Sequence, residues 1–293
     1  MGEPTTTDLG HRAAVVPLVR DVVVVEGPEA VAYLQGQLSQ DVEALALGAS
    51  APSLLLQPTG KVDAWLRATR LAEDGVALDV DAGAGEGLEA RLRRFLLRTK
   101  ATLTAARWRG LALRGPAVDQ VAVEGGHRLP AAWPGLDAVD VLGVDGTTAG
   151  PSALDDPSAL EALRIACGVP AMGAEITEAT IPAELGQWLI DASVSFTKGC
   201  YTGQELVARI DSRGGRVPHP VRGLRIDGPV PESGAVVRAS GAEVGRVTSA
   251  AADPALGAIA LAPLARAVEP GAAVTVESPS GEVGATVAEL PLR

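Results

Sequence analysis

The sequence predicts an α+β body followed by a small antiparallel β-barrel or sandwich. Three observations lead there. At 293 residues, 47% hydrophobic and 21% charged, the chain has the length for about two domains and the composition of a globular protein. Up to about residue 217, β-branched runs alternate with segments whose apolar residues recur at helical spacing. Beyond it, short alternating runs are separated by Gly, Pro, Ser and Asp, with almost no helical periodicity. The expected division is therefore residues 1–217 and 218–293.

Taken in order, "DVVVVEG" reads as a strand. In "GPEAVAYLQGQLSQDVEAL" the spacing of Val31, Leu34, Leu38 and Val42 predicts an amphipathic helix over that whole segment. Strands follow at "SLLLQ", "KVDAWLRATRL" and "VALDVDA". "EGLEARLRRFLLRTKATL" opens with Glu86 and Glu89 and closes with Arg98 and Lys100, the charge order that suits a helix dipole. Weaker strands are expected at "GLALRG" and "AVDVLGVD". A helix is expected in "PSALEALRIACGVP", with Ser158 as N-cap and Gly168 then Pro170 as the stop. "ASVSFT" alternates as a strand, and "GQELVARI" places Leu206, Val207 and Ile210 on one helical face behind a Thr202/Glu205 capping box. The C-terminal region offers six strands: "RGLRIDG", "GAVVRAS", "AEVGRVTSA", "GAIALAPL", "AAVTVES" and "GEVGATVAEL".

A formal charge of −11 repels polyanions at long range and argues against generic nucleic-acid binding. The longest apolar stretch, "AAVVPLVRDVVVV", is interrupted by Arg20 and Asp21 and is too short to span a bilayer. The start lacks the regions of a secretory signal. Met1, Gly2 and Thr6 fit the loose acylation pattern, but Glu3 and Pro4 sit inside it and no basic anchor follows. No membrane attachment and a cytoplasmic location are expected. Cys167 and Cys200 form no C-x-x-C, and His11, His127 and His219 are scattered, so no metal ligand set is expected.

Cys200 admits two readings. Next to Lys198 and just ahead of a helix start, its thiolate would be favoured, with Gly199 and Gly203 leaving the sulfur open. Equally, it could be a small buried residue between turn glycines.

The run Lys198, Gly199, Cys200, Tyr201, Thr202, Gly203, Gln204, Glu205, continued by Ala208, Arg209, Arg213 and Gly214, resembles the K-G-C-[FY]-x-G-Q-E signature of the YgfZ proteins. These are folate-binding relatives of the glycine-cleavage aminomethyltransferase (T-protein), associated with iron–sulfur cluster assembly or repair and with tRNA modification. "YLQGQLSQDV", "PTGKVDAWL", "FLLRTKATL" and the stretch from "GVP" to "IPAELG" look like further segments of that family. The resemblance implies an aminomethyltransferase-like folate-binding body with a C-terminal antiparallel β-barrel. It implies Cys200 and Lys198 as the working groups, and a tetrahydrofolate site drawing on Gln37, Asp41, Lys61, Asp63, Tyr201, Gln204, Glu205 and Arg209. Folate, iron–sulfur client enzymes and tRNA-modification machinery are the implied partners. The alternatives are a folate-dependent aminomethyl or one-carbon transferase using Asp63, and an interaction module with a vestigial pocket.

The chain departs from the family at three places. Gly60, Lys61, Val62, Asp63, Ala64 keep one of the T-protein's paired carboxylates. Ala166 and Cys167 stand where folate-binding relatives carry a glutamate and its neighbour, so weak folate binding is expected, with Cys167 packed as a small hydrophobe. His219 stands near a position where such relatives carry arginine. Two basic clusters, Arg91, Arg93, Arg94, Arg98, Lys100 and Arg209, Arg213, Arg216, Arg222, Arg225, are solvated faces or the border of an anionic site.

Overall fold

A computed structural model describes residues 12–149, 155–278 and 281–293; the N-terminal stretch carrying the acylation pattern and His11 lies outside them. The first strand, β1 (Ala14–Glu26), is followed by α1 (Ala30–Gln37), then β2 (Ser50–Leu56), β3 (Val62–Ala72) and β4 (Gly75–Asp81). Helix α2 (Gly85–Arg93) leads to β5 (Thr102–Arg114). Next come β6 (Val123–Glu124), β7 (His127–Pro130), β8 (Ala138–Gly143) and β9 (Thr148–Ala149). Three helices follow: α3 (Pro157–Cys167), α4 (Gln187–Ser193) and α5 (Gln204–Ser212). The C-terminal region contains β10 (Val221–Ile226), β11 (Val236–Ala239), β12 (Ala242–Arg246), β13 (Ser249–Asp253), β14 (Gly257–Pro263), β15 (Ala273–Ser278) and β16 (Gly281–Ala288).

Two seven-stranded antiparallel sheets result, ordered β2-β3-β4-β1-β5-β8-β7 and β12-β11-β15-β16-β10-β14-β13. Strand β1 lies at the centre of the first, paired along its whole length with β5; its run of valines is the β-branched signal that selects an extended chain. One core joins α1 and α2 to this sheet through Leu34, Leu38, Leu55, Leu66, Leu78 and Leu92. The second sheet closes on its own apolar interior and packs on α3, where Ile165 and Ala166 meet Ile259, Leu261 and Leu292. This is the α+β body with a C-terminal antiparallel barrel that the sequence predicts.

Several local expectations are corrected. Helix α1 ends at Gln37 rather than running to Val42. Leu38 turns extended and bridges Leu55; the Gln35 side-chain oxygen accepts the Val42 and Glu43 N–H groups, so both leucine and valine reach the same core without a continuous helix. Helix α2 stops at Arg93, and Arg98 enters the left-handed region at φ 62°. The N-cap of α3 is Asp156, whose carboxylate accepts the Ser158 N–H at 2.8 Å with Pro157 at the first helical position; Gly168, at φ 72°, ends the helix as expected. "ASVSFT" is not a strand: Ala192 and Ser193 finish α4, and the Ser195 N–H donates to the Ser39 carbonyl. Seven C-terminal strands form rather than six, because "AEVGRVTSA" breaks at Val247 and Thr248, which turn inward to the barrel core and to Leu261 and Glu175.

Candidate functional site

The cysteine motif forms a loop, residues 195–203, laid across the C-terminal end of α1. Lys198 holds it there. Its Nζ donates to the carbonyls of Gln35 and Leu38 at 2.7 Å and of Gln40 at 2.9 Å. These three contacts use all the protons of an ammonium and satisfy carbonyls that a helix end leaves open. Burial lowers the Lys198 pKa to about 8, with Asp41 and Glu43 acting in the opposite direction. The Thr202 N–H adds a bond to the Gly36 carbonyl at 3.1 Å. Tyr201 is buried against Leu54, Leu56 and Val62, and burial pushes its pKa up to about 12. Between these anchors Cys200 is exposed, while Cys167 is buried, and burial pushes its thiol up to about 11.

The motif's other residues serve the scaffold. Thr202 and Glu205 form no capping box: α5 begins at Gln204 behind Gly203, and the Gln204 Oε1 accepts the Tyr201 N–H at 3.2 Å. Gly203 adopts φ 81°, and a Cβ there would lie 2.4 Å from the Gln57 carbonyl oxygen and 2.8 Å from Leu56 Cβ. Its counterpart is Gly60, at φ 83°, where a Cβ would meet Leu206 Cβ at 2.3 Å. The β2–β3 turn and the start of α5 thus meet glycine to glycine, which accounts for both conformation and residue type. Gly199 faces open space.

Asp63 lies beside this loop. Arg91 Nε donates to its Oδ2 at 2.7 Å, Arg91 Nη2 to the Leu56 carbonyl at 2.9 Å, and Arg91 Nη1 reaches Gln37 Oε1 at 3.5 Å. Asp41 accepts from the Gln35 side chain and the Ala44 N–H. The Lys61 carbonyl accepts the Gln57 N–H within the turn. Glu205 and Arg209 are exposed on α5. The structure therefore gathers Gln37, Asp63, Lys198, Cys200, Tyr201 and Gln204 around one end of α1, and leaves Glu205 and Arg209 facing outward.

A cavity of ≈230 Å³ lies elsewhere, inside the first sheet and under α3. None of the eight residues implied for folate lines it. Its lining includes Trp65, Trp133, Arg20, Arg67, Asp81 and Asp140, and a file of alternating charges runs along it. Arg20 bridges Asp81 and Asp79, with Nε to Asp79 Oδ1 at 2.9 Å. Arg67 bridges Asp79 and Asp140, each at 2.9 Å, and Arg114 closes the file on Asp140 at 2.7 Å. The Arg114 guanidinium carbon lies 4.3 Å from the centre of the Trp133 ring. Burial would raise the Asp140 pKa, but Arg114, Arg67 and Arg20 hold it at about 2. Arg114, sharing its one carboxylate, has its pKa lowered by burial despite Asp140. This file was missed in the sequence, although it had a signal: Arg20, Arg67, Asp79, Arg114 and Asp140 are charges inside otherwise apolar strands. Ala166 does not reach the cavity; it is buried against the barrel, and Glu175 ties α3 to that barrel through Arg164, Thr248 and Ser249.

Residues 220–292 match the family model of the glycine cleavage T-protein C-terminal barrel domain. The chain is 27% identical over 216 residues to the tRNA-modifying protein YgfZ of Edwardsiella ictaluri, covering 65% of this chain and 64% of that one. It is 28% identical over 235 residues to an iron–sulfur cluster assembly factor IBA57 homolog of Neurospora crassa, covering 72% and 53%. Together these matches support a YgfZ-like family. Its matches span less than two thirds of those relatives' lengths. In fold it is similar to the crystal structure of glycine cleavage system aminomethyltransferase T from Bartonella henselae, with a TM-score of 0.74 at 21% identity over 97% of this chain and 87% of that one. Among the described residues no helix is long and apolar enough to cross a membrane.

Proposed function

We propose that this YgfZ-like chain is a folate-binding accessory protein supporting iron–sulfur enzymes, including those of tRNA modification, and that Cys200 is the group it offers them. One observation carries the reading. Of two cysteines the fold buries one and displays the other, on a loop pinned on both sides by Lys198, Thr202 and Tyr201. A thiol without a task gains nothing from such anchorage. The names of the relatives, a tRNA-modifying protein and an iron–sulfur cluster assembly factor, point to the same processes. In cells lacking their own YgfZ-type protein, this chain should restore the activity of iron–sulfur enzymes. No gain over empty vector would remove the reading.

The cavity fits the ring of a folate rather than the whole molecule. Its ≈230 Å³ and the indoles of Trp65 and Trp133 suit a flat heterocycle. Asp81, with one oxygen to Arg20 and the other to the Met172 N–H, is a carboxylate at its edge able to accept the ring's donors. Bound there, tetrahydrofolate would supply a carrier for one-carbon units. The transferase reading draws less support, since Asp63 is engaged by Arg91 away from this cavity. Calorimetric titration with tetrahydrofolate should show saturable binding that weakens about tenfold or more in Asp81→Asn, through loss of a charged hydrogen-bond partner, and is unchanged in Asp63→Ala. The opposite pattern would return the folate site to Asp63.

A further inference from the structure

The chain contains two phenylalanines, and the fold leaves both in solvent. Phe95 is 43% exposed and Phe196 53%. Burying such a side chain stabilises a fold, so a protein this sparing of phenylalanine forgoes part of that gain at both positions. Leu97, two residues beyond Phe95, is 83% exposed.

Phe196 belongs to the cysteine loop, and Phe95 connects to it through a chain of contacts. Phe196 is in the loop itself, between the Ser195 bond to Ser39 and the Lys198 anchor. Phe95 lies against the Arg91 guanidinium, 4.2 Å from carbon to ring centre. Arg91 holds Asp63, the Leu56 carbonyl and Gln37, and Gln37 follows Gly36, whose carbonyl holds Thr202. Cys200 lies in the same loop as Phe196, between Lys198 and Thr202.

The charge around Phe95 has one sign to spare. Arg91 and Arg93 are neutralised by Asp63 and Glu89. Arg94 and Arg98 are exposed and make no ion pair among the described residues. On a chain of net charge −11, this is a basic rim beside an apolar surface, and screening within about 8 Å at physiological salt lets the local sign govern close approach.

We propose that the surface from Phe95 and Leu97 across the end of α1 to Phe196 docks an acidic protein partner, presenting Cys200 to it. This rests on the reading of Cys200 given above and names the surface and the chemistry of the partner. With Lys100, also exposed and in no ion pair among the described residues, the free cations here number three, still few beside the roughly six to ten phosphate contacts of typical nucleic-acid binding, and the side chain of Leu97 cannot stack on a base. Apolar anchors inside a charged rim are the pattern of a protein interface.

The test places a benzophenone side chain at position 97 of the full chain, in cells where it replaces their own YgfZ-type protein, and irradiates them. The expected result is one principal adduct with an acidic polypeptide. Its yield should fall about tenfold or more when Arg94→Glu and Arg98→Glu are added, and the adduct should be absent when the probe sits at Val230, an exposed position before the barrel strand β11. No adduct, a nuclease-sensitive adduct, a second copy of this chain, or a yield indifferent to charge reversal would overturn the proposal. A triple variant, Phe95→Ser, Leu97→Ser, Phe196→Ser, separates the two claims. Full restoration of iron–sulfur enzyme activity by it, with none by Cys200→Ala, overturns the docking surface and leaves the role of Cys200 standing. Full restoration by both overturns the role of Cys200 first.

Discussion

Asp140→Ala is expected to destabilise the protein by about 3–5 kcal/mol, the cost of stranding buried charge after one partner of an ion pair is removed. Asp140 is the one carboxylate that Arg114 pairs with and one of two that hold Arg67, and both guanidiniums are buried. Against the roughly 5–15 kcal/mol of a typical domain, that leaves the variant marginal, and urea unfolding would show a fall in unfolding free energy of that size. Adding Arg114→Met should recover part of the loss, because the stranded cation is removed together with its partner. The same geometry sets a pH dependence. With its folded-state pKa held at about 2 against an ordinary 3.8, Asp140 contributes stability that is fully present above about pH 4–5 and is lost as pH falls toward 2. Wild type should therefore lose stability over that acid range more steeply than the variant. An Asp140→Ala unfolding free energy within about 1 kcal/mol of wild type would show that the charge file is not a stabilising unit.

Cys200→Ala is expected to abolish restoration of iron–sulfur enzyme activity while leaving the fold intact. An exposed side chain outside every apolar cluster should change stability by no more than about 0.5 kcal/mol. The loop that carries it is held by the Lys198, Thr202 and Tyr201 contacts, none of which involves the sulfur. Cys167→Ala is the matched control: buried between α3 and its surroundings, it should cost about 1–2 kcal/mol and retain restoration in proportion to folded protein. Equal restoration by Cys200→Ala and wild type would make the loop a structural feature alone.

Much of the architecture was legible in the sequence, because strand alternation and the Gly/Pro punctuation after residue 217 report burial directly. What escaped were places where side chains replace backbone partners. Gln35 takes over bonds that would have continued α1, and Ser39 is turned instead to Leu54 and Ser193. Asp156 outcompetes Ser158 because Pro157 has no N–H to be capped and suits the first helical turn. In the motif, Cys200 was legible as the chemical candidate, but the reasons for its neighbours were not. Lys198 reads locally as a charge beside a thiol, and its ammonium instead meets three carbonyls some 160 positions earlier in the chain. Gly203 reads as clearance for the sulfur, and its lack of a side chain instead admits the β2–β3 turn. Contacts of such sequence separation leave no periodic trace. The paired charges of the cavity did leave one, as ionisable residues in apolar strands, but which acid meets which arginine depends on the strand order.

The central claim is that the fold displays Cys200 and withholds Cys167, and native-state alkylation tests it most directly. Folded protein treated with iodoacetamide at neutral pH and mapped by peptide mass should carry one carbamidomethyl group, on Cys200, with Cys167 modified only once denaturant unfolds the chain. Cys167 is protected twice, by burial and by a thiol pKa pushed up to about 11. Modification of Cys200 only on unfolding, or of both cysteines at the same rate in the native protein, would contradict the account.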